Sequence, residues 1–227
     1  MRILALFALL ALAACGQRTL TETERAFAGT ILGDEIAIDR VRVVRGAASG
    51  LVTATIEPRP RNTCRERLFP PLNGPVKIAF PVFVLDETIY FTRDAWSDDF
   101  LADYPNELPL RDAMRLAHEL VHVWQWQQRA ETGYHPFRAA AEHIGKDDPY
   151  LVAFDPERPF SSYAYEQQGV LVEEFVCCRA LDPDAPKTRA MADMLREPFP
   201  DLVTIEAVPR GAVSLPWDGA ETRGICS

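Results

Sequence analysis

Leu116-Ala117-His118-Glu119-Leu120-Val121-His122-Val123-Trp124 is the stretch on which the reading of this chain turns. It contains H-E-x-x-H. On a helix, residues four apart share one face a turn apart, so both imidazoles can present a nitrogen to one ion. Glu119 projects beside them, where a carboxylate can take a proton from a metal-activated water. The flanks favour a helix. Pro109 suits a first turn, and neither Pro nor Gly interrupts Leu110 to Thr132. Leu110, Met114, Ala117 and Val121 recur at spacings of three and four, which predicts a buried stripe. With four His in 227 residues an accidental match is rare. The stretch predicts a zinc site, with His118 and His122 as ligands and Glu119 as the catalytic base.

Two imidazoles do not complete a catalytic zinc site, which takes three protein ligands and a water. A His six residues after His122 is excluded, because Gln128 stands there. His135 and His143 fall in a region rich in loop-forming residues and are expected at the surface. Glu142 lies 20 residues beyond His122 but has Lys146, not an acid, four positions on. The preferred third ligand is Glu166, in Tyr163-Ala-Tyr-Glu-Gln-Gln-Gly-Val-Leu-Val-Glu-Glu174. Gly169, three positions later, permits close approach of a second helix. Glu173 shares that face about 10 Å further along the axis, and Glu173, Glu174 and Glu142 stay open as alternatives.

The N-terminus reads as an export signal. Arg2 is a positive start, Ile3 to Ala11 is apolar, and small residues follow. Leu12-Ala13-Ala14-Cys15 resembles the lipobox of bacterial lipoproteins. That resemblance implies removal of residues 1–14 and lipidation of Cys15. Gly16, in place of Asp, resembles the outer-membrane default, with the protein facing the periplasm. Acyl chains contribute about 0.8 kcal/mol per buried methylene, enough to hold a multiply acylated chain on a membrane. Residues 15–20 are then a lipidated tether and 21–227 one domain. Cys64, Cys177, Cys178 and Cys226 form an even set in an oxidising compartment, so disulfides are the default. Adjacent Cys177 and Cys178 rarely bond each other and are expected to reach Cys64 and Cys226 separately, in an undetermined pairing.

Composition excludes several classes. A net charge of −9 argues against nucleic acid as a partner. At 48% hydrophobic residues the body is globular, and there is no G-x-S-x-G mark of a serine hydrolase. Thr21-Glu-Thr-Glu24 predicts a capping box, with Gly33 closing the helix. Strands are expected around Ile36 to Val43, Leu51 to Ile56, Val76 to Leu85 and Thr88 to Thr92, with a Pro-rich loop at Glu57 to Pro75. Pro81 marks a bulge or edge position. Helices are expected at Arg138 to Ile144, Ser161 to Ala180 and Pro186 to Arg196. Strands precede helices, which favours α+β: a small mixed or antiparallel sheet on the H-E-x-x-H helix and a second, ligand-bearing helix.

Glu24-Arg-Ala-Phe27, Leu32-Gly-Asp-Glu-Ile36, Val41-Arg-Val43, Thr88-Ile-Tyr-Phe91, the His118 to Gln125 run and Glu166-Gln-Gln-Gly169 occur in the order of a known family. Over most of Leu20 to Ala180 the chain resembles the zincin-like domains of unknown function associated with bacterial contractile injection systems, the Vgr-related proteins among them. Gly169 stands where that family suggests Ala. The resemblance implies a zincin-like, metallopeptidase-like domain acting on a peptide or protein substrate. The rival expectation is a non-catalytic zincin-like lipoprotein used for binding or assembly. For the enzyme, the Thr88 to Phe91 strand is expected to receive an extended substrate, and Tyr163 and Tyr165 are candidates for oxyanion stabilisation.

Overall fold

A computed structural model describes residues 16–46, 53–144, 148–203 and 212–227. Cys15 and the export signal lie outside them. The chain is mixed α+β, with small sheets and longer helices. Helix α1 (Glu22–Leu32) starts on the expected capping box: the Thr21 hydroxyl accepts from the Glu24 N–H, and Glu24 accepts from the Thr21 N–H. Glu24 is fully buried and also takes a two-pronged bond from Arg18 and one from the Phe100 N–H. Its charge is therefore matched where a lone carboxylate would be costly.

Residues expected to form a tether belong to the fold. Strand β1 (Gln17–Arg18) pairs antiparallel with β2 (Arg42–Arg45), and Leu20 is buried. The remaining strands are β3 (Thr53–Ile56), β4 (Val76–Ala79), β5 (Val82–Leu85), β6 (Thr88–Phe91), β7 (Leu108–Pro109) and β8 (Val213–Ser214). The main sheet has the order β1-β2-β6-β5, with β2 and β6 parallel and the other pairs antiparallel. Three expectations about the strands are corrected here. Val76 to Leu85 is two strands, because Pro81 separates β4, paired with β3, from β5. Strand β6 is interior rather than an edge, and β5 is the edge strand beside it, with two-residue β1 at the opposite edge. Ile38 to Arg40 forms a 3₁₀ turn, so the first predicted strand, Ile36 to Val43, is displaced to Arg42–Arg45. Asp86, with φ 55°, turns β5 back into β6, a left-handed position that Asp tolerates.

The helices carry the core. Short α2 (Cys64–Leu68) interrupts the predicted Pro-rich loop, and α3 (Leu110–Gln127) is the long H-E-x-x-H helix. It is followed by α4 (Arg129–Thr132), α5 (Pro136–Ala141), α6 (Tyr165–Leu181) and α7 (Pro186–Leu195). Leu116, Leu120 and Val123 of α3 and Leu171, Phe175 and Val176 of α6 are buried in one apolar cluster with β2 and β6. Two disulfides fasten the ends of this core. Cys64 joins Cys177 and Cys178 joins Cys226, with Cα–Cα distances of 6.0 and 5.7 Å. Among the described residues no helix is long and apolar enough to cross a membrane.

Candidate metal centre

Helix α3 places His118 and His122 one turn apart, and α6 brings Glu166 against them. The Nε2 atoms of the two imidazoles are 3.2 Å apart. Glu166 Oε2 lies 3.2 Å from His118 Nε2 and 3.5 Å from His122 Nε2. All three residues are buried. An ion bound at about 2.0–2.1 Å with tetrahedral angles holds its ligand atoms roughly 3.3 Å apart, so the spacing suits such an ion. These residues form a group that can hold a metal.

The partners of the other ring nitrogens support the same conclusion. His122 Nδ1 lies 2.9 Å from Gln125 Oε1, and Gln125 spends its amide hydrogens on Tyr165 O and Gln168 Oε1. Gln125 therefore presents its oxygen, and His122 donates from Nδ1. Gln168 in turn donates to Tyr163 O. His118 Nδ1 faces Glu173 Oε2 at 3.4 Å. In their neutral forms, with Nδ1 protonated, both imidazoles would turn an Nε2 lone pair toward the Glu166 carboxylate oxygen, and in the metal-free protein a proton on Nε2 takes the place an ion would fill. A bound cation suits three such acceptors, and outer hydrogen bonds of this kind orient metal-binding imidazoles.

Gly169 explains how the helices come so close. A Cβ there would lie 2.8 Å from His118 Cε1 and 2.9 Å from Nδ1 and Nε2 of the same ring. Ala would push the imidazole aside. The other glutamates have separate roles. Glu142 accepts from the Tyr165 and Glu166 N–H groups and so caps the first turn of α6, which carries Glu166. Glu174 accepts from the Cys64 and Arg65 N–H groups and pairs with Lys187. Glu173 bridges His118 and Arg65.

With protons as the only cations here, the charges couple strongly. Burial disfavours the His118 cation, but hydrogen bonds to Glu166 and Glu173 outweigh it and raise its pKa to about 10. Burial likewise opposes, and Glu166 overcomes, the charging of His122, whose pKa is also raised. Burial acts to raise the Glu166 pKa, yet the imidazoles hold it well below the usual carboxylate range. Glu119 differs: burial, reinforced by Glu166, pushes its carboxyl up against the pull of the imidazoles. Among the described residues no hydrogen bond or ion pair engages the Glu119 side chain, although it is buried and lines the same cavity.

That cavity has a volume of about 980 Å³ and reaches from His118, His122 and Glu166 to the edge strand β5, where Val82, Phe83 and Val84 form one wall. No family model matches the chain. No curated protein matches it either. Among solved structures the chain is similar to the effector domain of Pseudomonas aeruginosa VgrG2b, at 19% identity over 83% of this chain and 84% of that one, with a TM-score of 0.48. At that level neither fold nor chemistry is carried over to this chain.

The site includes residues that the sequence reading did not assign to it. His143 is exposed, as expected, yet its Nε2 lies 3.6 Å from Glu166 Oε1 and meets the Tyr150 hydroxyl at 2.9 Å. The Tyr150 ring is 6.0 Å from that of His118, and burial with the nearby glutamates raises the phenol pKa. Neither residue carried a local signal, since both come from irregular chain after α5. Tyr163 and Tyr165 are turned to other tasks. Tyr163 OH bonds the backbone of Asp155, and Tyr165 OH donates to Gly133 O. His135 caps α5 instead of joining the centre.

Proposed function

We propose that the chain is a zinc-dependent metallopeptidase of zincin-like fold, with His118, His122 and Glu166 as the metal ligands and Glu119 as the general base. The observation that carries this reading is the convergence of two Nε2 atoms and one carboxylate oxygen at tetrahedral ligand spacing. The donor set of two imidazoles and a carboxylate suits zinc, and with a fourth position left for water it is that of a catalytic rather than a closed structural site. Zinc in such a site supplies a water with pKa near 7 and polarises a carbonyl oxygen.

The chain's own groups divide the remaining work. Glu119, buried and uncommitted, accepts the proton of the attacking water and returns it to the leaving amine. Tyr163 and Tyr165 are turned away from this task, and the Tyr150 hydroxyl in the cavity wall gives its one hydrogen to His143 Nε2, because His143 Nδ1 donates to Ala139 O; polarisation of the carbonyl therefore falls to the metal. Edge strand β5, not β6, is available to pair with an extended peptide through backbone groups. The buried base also speaks against a purely structural or binding role, which needs no such group.

The same reading places the protein in the bacterial envelope, lipid-anchored through Cys15 at the outer membrane and facing the periplasm. Two disulfides support an oxidising compartment. Glu119→Gln should retain zinc and lose turnover of a mixed peptide library that the wild type cleaves. Equal turnover by both proteins would remove Glu119 from the mechanism, and no turnover by either would remove the peptidase activity.

A further inference from the structure

Four arginines line the cavity: Arg59, Arg65, Arg111 and Arg115. Two are committed. Arg59 forms a two-pronged bond to Asp148 and reaches Glu66, and Arg65 pairs with Glu173. The other two are not. Among the described residues the guanidinium groups of Arg111 and Arg115 form no hydrogen bond, and the ion-pair contact of each is with Asp112 Oδ1, at 3.6 and 3.7 Å. The two guanidinium groups at this end of the cavity thus have only the loosely placed Asp112 carboxylate as an ion-pair partner among the described residues.

Their position follows from helical spacing. Arg111, Arg115 and Glu119 are successive i, i+4 neighbours, and His118 and His122 follow at i+7 from Arg111 and Arg115. All five line the cavity from one face of α3. At 1.5 Å per residue, the Cα of Arg115 lies about 4.5 Å and that of Arg111 about 10.5 Å along the axis from His118. An extended peptide advances about 3.3 Å per residue, so this span corresponds to roughly three substrate residues. Guanidinium groups bind carboxylates in a fixed, two-pronged geometry.

Resting on the peptidase reading above, we infer that Arg111 and Arg115 form a carboxylate subsite that selects peptides with an acidic group within about three residues of the bond cleaved. The carboxylate comes from an Asp or Glu side chain or from the peptide's own C-terminus. Apolar side chains from β4 and β5, Ile78, Val82 and Val84 among them, line the cavity beside it. The favoured substrate is thus an acidic peptide with neighbouring apolar residues. Arg115 also eases the charges of Glu119 and Glu173, so Arg111 gives the cleaner test of selectivity.

The test separates binding from turnover. Fluorescently labelled, blocked hexapeptides carrying one Glu at each position in turn, and their Gln counterparts, are titrated by anisotropy into purified Glu119→Gln protein. Free-acid and amidated versions of an all-neutral peptide form a second arm. At least one Glu peptide, or the free acid, should bind about tenfold more tightly than its neutral partner. Adding Arg111→Gln should reduce that ratio to within about twofold, Arg111→Lys should keep part of it, and thermal melting should show both variants folded. Equal binding of every charged and neutral pair, or selectivity surviving in the Arg111→Gln/Arg115→Gln protein, would overturn the subsite. Wild-type turnover of the same peptides is read separately. Selective binding without turnover would refute the peptidase and leave the subsite standing, whereas turnover without selectivity would do the reverse.

Discussion

Three side chains bear most of the argument at the residue scale. Gly169 is the most diagnostic. Within a helix, Gly→Ala ordinarily stabilises by about 0.5–1 kcal/mol. Here the added Cβ would strike the His118 ring at 2.8 Å. Gly169→Ala should therefore weaken zinc affinity, measured by competition with a chromophoric chelator, while helix content by circular dichroism stays at the wild-type level. Unchanged affinity would show that the ring has room to move. Gln125 acts through His122 by accepting from Nδ1. Groups that orient a metal-binding imidazole typically contribute about 10–100-fold in affinity, and Gln125→Leu should lose that much. A change below twofold would remove Gln125 from the site. His118 carries the pH dependence. Its pKa of about 10 in the metal-free protein, where burial is outweighed by Glu166 and Glu173, makes it cationic at pH 7. A metal takes the neutral imidazole, so zinc uptake at pH 7 should release protons and strengthen as pH rises. Calorimetry in buffers of different ionisation enthalpy reads this directly, and identical heats in all buffers would contradict it.

At the scale of elements, the disulfide pairing links stability to the site. Cys64–Cys177 pins α2 to α6, and Glu174 caps α2 by accepting from the Cys64 and Arg65 N–H groups. Arg65 in turn holds Glu173, which faces His118. A Cys64→Ser/Cys177→Ser protein should lose roughly 2–4 kcal/mol of stability in urea unfolding. It should also bind zinc more weakly than the wild type. Full affinity in a destabilised protein would break the link between α2 and the centre. Elements with a local pattern were legible in the sequence: the Thr21 capping box, the i, i+4 histidines, and Glu166 marked by a glycine three residues on. Arrangements set by distant partners were not. The β6 strand alternates as an edge strand would, yet β2, some 45 residues earlier in the chain, covers its other side in parallel. Pro81 signalled an interruption without revealing that the strands on either side join different sheets. His143 and Tyr150 reach the centre through irregular chain, where no periodicity reports direction.

On the scale of the whole molecule, a mixed sheet, two packed helices and two disulfides present one polar constellation at the floor of a cavity of about 980 Å³. Residues 16–20 are built into this body through the pairing of β1 with β2 and the burial of Leu20. The rest of the account depends on one ion bound by His118, His122 and Glu166. The most direct measurement is the metal content of the purified protein by mass spectrometry after equilibration with zinc and removal of the excess. It should give about one zinc per chain in the wild type and in Glu119→Gln, a reduced value in Glu166→Ala, and none in His118→Ala/His122→Ala. Full zinc occupancy in the double variant, or none in the wild type, would contradict the account.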